Sequence, residues 1–120
     1  MQSKLFDSEL KVMGVLWREG DCTAKHISDV LKQEVGWNMN TTYTVIKRLC
    51  DKGCLKNEAA VVTSLVDRAT VQQADGQEVL QRSFHGSLPS FLAAFLRAGS
   101  VSDQEAAEIE QMLEEYRQSH

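Results

Sequence analysis

Between residues 7 and 66, three short helix-spaced segments, each opened by a capping residue, precede one β-branched run. This order constrains the fold more than any other feature. Asp7 can cap a first helix ending at Glu19, whose apolar positions Leu10, Val12, Met13, Leu16 and Trp17 approximate helical spacing. Gly20 follows, where a C-terminal glycine is expected. Thr23 can cap a second helix through about Gln33, with Ile27, Val30 and Leu31 on one face, and Gly36 breaks the pattern. Asn38 can cap a third through about Asp51, with Thr42, Val45, Ile46 and Leu49 inward at spacings of three and four, and Gly53 ends it. Cys54-Leu55-Lys56, a turn at Asn57-Glu58, and a run from Ala60 to Val66 predict a hairpin. Three helices and a two-stranded hairpin make the winged helix-turn-helix arrangement.

A chain of 120 residues supports one domain, or a small module with a short second one. With 42% hydrophobic and 25% charged residues, disorder throughout the chain is excluded. The apolar runs are too short to span a membrane, and residues 1–6 lack the layout of a secretory signal, so the expected location is cytoplasmic. The net charge of -4 is uneven. Residues 1–58 carry nine Lys/Arg against eight Asp/Glu, whereas residues 59–120 carry four against nine. Every lysine lies at or before Lys56. A general polyanion coater is excluded, but specific nucleic-acid binding through a basic face of the first half is compatible.

The outward face of the third helix presents Asn40, Thr41, Tyr43, Thr44, Lys47 and Arg48. Short hydrogen-bonding groups come first, and cations follow one to two turns later. A recognition helix needs this distribution: its first residues meet base edges or phosphates in the major groove, and its cations meet the backbone. Arg48 could form a bidentate contact. The same residue types also suit an ordinary solvated face.

The second half reads as three more helices. One covers about Val71 to Phe84 with Val79 and Leu80 inward. Ser87 caps the next, with Pro89 tolerated in its first turn. There Leu88, Phe91, Leu92, Phe95 and Leu96 follow the i, i+3, i+4, i+7, i+8 stripe of a packing face. Ser102-Asp103-Gln104-Glu105 is a capping-box pattern that opens the last helix, with Ala106, Ile109, Met112, Leu113 and Tyr116 apolar. Three such helices hold too little bulk for an independent core. They must either pair with a second copy or fold back onto the first half.

Other chemistry finds little support. Cys22, Cys50 and Cys54 form an odd set without a C-x-x-C pair, encoding neither a disulfide framework nor a zinc site. Their expected role is apolar packing, although Lys47 and Arg48 near Cys50 leave a redox role open. His26, His85 and His120 show no metal-ligand spacing, and no cofactor is implied. No Gly-rich phosphate loop, G-x-S-x-G or H-E-x-x-H occurs, so an enzyme is not expected. The rival to a DNA binder is a winged-helix protein–protein interaction module without specific DNA contact.

The stretches Glu9 to Trp17, Thr23 to Ile27, and Trp37 to Leu49 followed by Lys52-Gly53 resemble the penicillinase and methicillin-resistance repressors and their copper-responsive relatives. Gly86-Ser87-Leu88 leading into Leu92-Ala93-Ala94-Phe95 resembles that family's dimerisation domain. The resemblance implies a mainly α fold, with a winged helix-turn-helix DNA-binding domain over residues 1–69 and a helical dimerisation domain over 70–120. It implies a homodimeric repressor on a palindromic operator of double-stranded DNA. In many members a membrane-bound sensor metalloprotease triggers release by causing the repressor to be cut. Carried to this chain, DNA contacts fall on Asn40, Thr41, Tyr43, Thr44, Lys47 and Arg48, with Lys56 the only nearby cation of the wing before Arg68. The dimer contacts fall on Leu88, Phe91, Leu92, Phe95, Leu96, Ile109, Met112 and Leu113. The cleavage bond falls at Ala94-Phe95, with Ala where relatives have Asn, and Tyr43 stands where many relatives have Lys or Arg. No cysteine follows Cys54, so the copper branch's paired C-terminal thiols are missing from this sequence.

Overall fold

A computed structural model describes residues 4–120. Its elements run α1 (Asp7–Glu19), β1 (Cys22–Thr23), α2 (Ala24–Val35), α3 (Met39–Asp51), β2 (Leu55–Glu58), β3 (Val61–Ser64), α4 (Arg68–Phe84), α5 (Leu88–Ala98) and α6 (Asp103–Ser119). The chain divides into two compact units, Met1–Gly76 and Gln77–His120, and the division falls inside α4.

The first unit is a winged helix: three helices packed on one another and on a small antiparallel sheet ordered β1-β3-β2. Its core gathers the inward stripes of all three helices. Val12, Met13 and Leu16 of α1, Ile27 and Leu31 of α2, and Val45, Ile46 and Leu49 of α3 are buried together with Leu55 and Val62 of the sheet. Trp17 packs against this core and donates its indole N–H to the Val66 carbonyl at 2.9 Å, tying α1 to the end of the wing. Thr23 and Asn38 cap their helices as the sequence predicts, accepting from His26 N and Thr41 N.

Four local expectations are corrected. The α1 cap is Phe6 rather than Asp7, because the Glu9 carboxylate accepts the Phe6 N–H at 2.8 Å and starts the helix one residue earlier. The strand β1 was not expected: two residues after Asp21 pair with β3 at Cys22↔Val62 and Thr23↔Val61. The wing turn is not Asn57-Glu58, which lie in β2. It is the two-residue loop Ala59-Ala60, since Glu58 pairs with Val61. Both alanines take positive φ, 51° and 65°, as the right-handed twist of a two-residue hairpin demands. Helix α4 begins at Arg68 rather than Val71, because the Asp67 carboxylate accepts the Thr70 N–H at 2.7 Å and caps it.

In the second unit, Ser87 caps α5 by accepting from Ser90 N, and Ser102 and Glu105 form the expected capping box on α6. Phe84, Phe91 and Phe95 stack edge to face at centroid distances of 5.3 and 5.0 Å. Neither α5 nor α6 buries a single residue. Val79, expected inward, is exposed.

Candidate nucleic-acid interface

The alternation that buries Thr42, Val45, Ile46 and Leu49 leaves Asn40, Thr41, Tyr43, Thr44, Lys47 and Arg48 exposed on the other side of α3. The first turn is held rigidly. Asn38 Oδ1 takes the Thr41 N–H at 2.8 Å, and the Thr44 hydroxyl donates to the Asn40 carbonyl at 2.8 Å. That bond consumes the Thr44 donor and leaves its oxygen free to accept. Lys47 sits 3.6 Å from Asp51, a loose pair with both side chains mostly in solvent, so it costs little to redirect.

This exposed face of α3 is split between two concavities. Asn40, Thr41, Thr44 and Arg48, with Asn38 and Val45, line a shallow one of about 330 Å³. Tyr43 and Lys47 line the other, about 620 Å³, with Thr23, Lys25, Ile46, Cys50 and Asn57. The second thus brings the start of α2 and the wing against α3. The sequence did not assign Lys25 or Asn57 to this face. Lys25 carried one signal, its place in the first turn of the helix preceding α3. Lys56 is exposed on β2 and lines neither concavity.

Behind the face lies a charged cluster. Glu9 is fully buried in α1, and its carboxylate accepts from Lys52 Nζ at 2.7 Å, Phe6 N at 2.8 Å and Arg48 Nε at 3.3 Å. Arg48 Nη2 also donates to Ser8 Oγ at 3.0 Å, and Lys52 Nζ to the Lys4 carbonyl at 3.0 Å. Burial pushes the Glu9 carboxyl up, but the hydrogen bonds from Lys52 and Phe6 and the two cations outweigh it. The group lies below its usual range. The Lys52 ammonium also stands 4.6 Å from the Phe6 ring centroid. Glu9 had one sequence signal: with Val12, Met13 and Leu16 it occupies the i, i+3, i+4, i+7 stripe, an acid on the buried face of its helix.

The three thiols are all raised, in each case first by burial; acidic neighbours add to it at Cys22 and, through Asp51, at Cys50, whereas at Cys54 the Lys52 ammonium offsets part of it. Lys47 and Arg48 therefore do not activate Cys50. Among the described residues no group of His, Cys, Asp or Glu is placed to hold a metal ion, and no helix is long and apolar enough to cross a membrane.

The residues assigned to dimer contact lie on α5 (Leu88, Phe91, Leu92, Phe95, Leu96) and α6 (Ile109, Met112, Leu113). Leu96 and Met112 are 63% and 64% exposed, and Leu88, Phe95 and Leu113 are exposed as well. The Ala94-Phe95 bond lies inside α5.

Comparison with known proteins identifies the family. The penicillinase repressor family matches residues 5–115. The chain is 28% identical over 118 residues to the penicillinase repressor of Bacillus licheniformis, covering 95% of this chain and 92% of that one. It is 27% identical over 116 residues to an uncharacterized 16.5 kDa protein in the ptsI 3' region of Latilactobacillus sakei, covering 92% of this chain and 79% of that one. The solution structure of the DNA-binding domain of the repressor BlaI aligns at a TM-score of 0.49 and 28% identity, over 57% of this chain and 92% of that domain. With the match spanning almost its whole length, the chain belongs to the penicillinase repressor family, a family of repressors and not of enzymes.

Proposed function

We propose that the chain is a homodimeric transcriptional repressor whose α3 helices enter successive major grooves of an operator with dyad symmetry. The observation that carries this is the face of α3. Six polar side chains stand exposed there on a helix whose opposite side is locked into the core. Asn40, Thr41 and Thr44 offer donors and acceptors of base-reading length, while Lys47 and Arg48 supply phosphate charge. Tyr43 is a neutral phosphate partner through its hydroxyl. Lys25 and Asn57 are added as backbone contacts, because they share the Tyr43 and Lys47 concavity.

Two copies joined through α5 and α6 would hold the half-sites about one helical turn apart and supply the avidity that a single wing lacks. The uncovered stripe Leu88, Phe95, Leu96, Met112 and Leu113 supports that contact. Derepression then acts on the second unit. A cut at Ala94-Phe95 would break α5 through its apolar stripe, and a membrane-bound sensor protease system is the partner that would provide it. Because the bond lies within a helix, α5 must unwind before a protease can take it in.

The test is fluorescence anisotropy with duplex DNA from upstream of the chain's own gene, against a scrambled duplex, across a salt series. The expected result is selective binding of two protomers per duplex with a steep salt slope. Absence of selectivity at every salt concentration would replace this reading with the protein–protein module.

A further inference from the structure

We propose that Ser8 and Glu9 of α1 are positioning residues for DNA binding, holding one edge of the Arg48 guanidinium so that the other edge is presented to the nucleic acid. The proposal rests on the repressor reading above. Nε and Nη2 share the side-on edge of a guanidinium, and both are spent on α1, Nε on Glu9 at 3.3 Å and Nη2 on Ser8 at 3.0 Å. The Nη1 side has no partner among the described residues. Arg48 nevertheless stays 46% exposed and lines the concavity shared by Asn40, Thr41 and Thr44.

Glu9 is a rigid anchor. It is fully buried and fixed independently of Arg48 by the Lys52 ammonium and the Phe6 N–H. An arginine on a free helix face must surrender its rotamer freedom on binding, whereas one already docked along its side-on edge has surrendered much of it on folding. Two elements therefore set the aim of one cation, α3 carrying it and α1 turning it. Exposure argues for this over the opposite role, an acid that hides the arginine from DNA: a hidden guanidinium would be buried and would not line the reading concavity.

The two roles differ in sign. Glu9→Gln removes a negative charge next to the interface, so simple electrostatics would tighten DNA binding, whereas loss of positioning would weaken it. Because Glu9→Gln also threatens the fold, Ser8→Ala is the primary variant. It removes one hydrogen bond to Arg48 and leaves the Glu9–Lys52 pair in place.

The experiment measures affinity of the full chain by anisotropy, on the upstream duplex, for wild type, Ser8→Ala, Ser8→Thr, Arg48→Ala and the Ser8→Ala/Arg48→Ala pair. Thermal melts fix a temperature at which all are folded. The expected result is about fivefold weaker binding for Ser8→Ala, from the loss of one hydrogen bond to a charged group. Ser8→Thr, which keeps the hydroxyl, should bind as wild type. Ser8→Ala should cost nothing further once Arg48 is alanine. Unchanged or tighter binding by Ser8→Ala, or the same loss with and without Arg48, overturns the proposal while leaving the repressor reading intact. Failure of the wild type to select the upstream duplex removes both.

Discussion

The Glu9 carboxylate and the Lys52 ammonium meet at 2.7 Å across 43 residues of sequence, joining the first turn of α1 to the residue that ends α3. With Arg48 on the second carboxylate oxygen, this contact fixes α3 to the helix that opens the fold. Removing the acid leaves the two cations without the carboxylate that both pair with. Both can turn partly to solvent, since Arg48 is 46% and Lys52 19% exposed. Glu9→Ala is therefore expected to cost about 3 kcal/mol, the lower end for breaking a buried pair, read by urea denaturation.

The same group makes acid stability sensitive to position 9. Lys52, the Phe6 N–H and Arg48 hold its folded pKa below that of an ordinary glutamate, so its contribution is fully present above the ordinary value and is lost as pH falls through the lower folded one. Asp67, lowered by its hydrogen bonds from Thr70, acts in the same sense at the start of α4. Unfolding free energy should drop below about pH 4.5 in wild type and drop less in Glu9→Gln. A titration of equal steepness in the two proteins would place the acid sensitivity elsewhere.

Thr42 offers a gain. It is fully buried on α3, and its hydroxyl oxygen has no hydrogen-bond partner among the described residues. Valine has nearly the same shape and no group to desolvate. Thr42→Val should stabilise the chain by about 1 kcal/mol, visible as a higher urea midpoint at constant slope. A loss instead would mean that the hydroxyl is satisfied in solution.

The wing turn carries strain that residue choice can relieve. Ala59 and Ala60 both sit at positive φ, which costs an L-residue with a Cβ roughly 1 kcal/mol or more each. The pair Ala59→Asn with Ala60→Gly matches the conformation the loop already has. Net of glycine's greater freedom in the unfolded chain, the expected gain is about 1 kcal/mol. Unchanged stability by the same denaturation measurement would indicate that the turn adopts another geometry.

Phe95 tests the second unit. It continues the Phe84–Phe91–Phe95 edge-to-face row, yet remains 43% exposed in the single chain. A charge placed there meets solvent in a monomer and an apolar partner in a dimer. Phe95→Asp should weaken self-association by about two orders of magnitude and reduce DNA affinity with it. Sedimentation equilibrium showing the variant as dimeric as wild type would move the interface off α5.

The caps at Thr23, Asn38, Ser87 and Ser102, the inward stripe of α3 and the helical character of the second half were legible in the sequence. Each is decided by groups within a few residues of one another: a side-chain oxygen and an N–H three positions on, or apolar residues at helical spacing. The wing turn was placed two residues early because Asn57-Glu58 has turn chemistry, whereas the pairing of Leu55 with Ser64 and Glu58 with Val61 sets the loop at two alanines without it. Strand β1 escaped notice because two residues carry no period, and only Val61 and Val62 across the sheet make them a strand. The acid at position 9 lies on the buried stripe of its helix, but what holds it there, Arg48 and Lys52, comes from residues about 40 positions later. The sequence by itself determined which helices form and which face of α3 is left exposed, since local spacing and capping decide both. Tertiary structure decided where the turn falls, which side chains share the concavities along α3 and how Arg48 is held, because those depend on groups that only the fold brings close together.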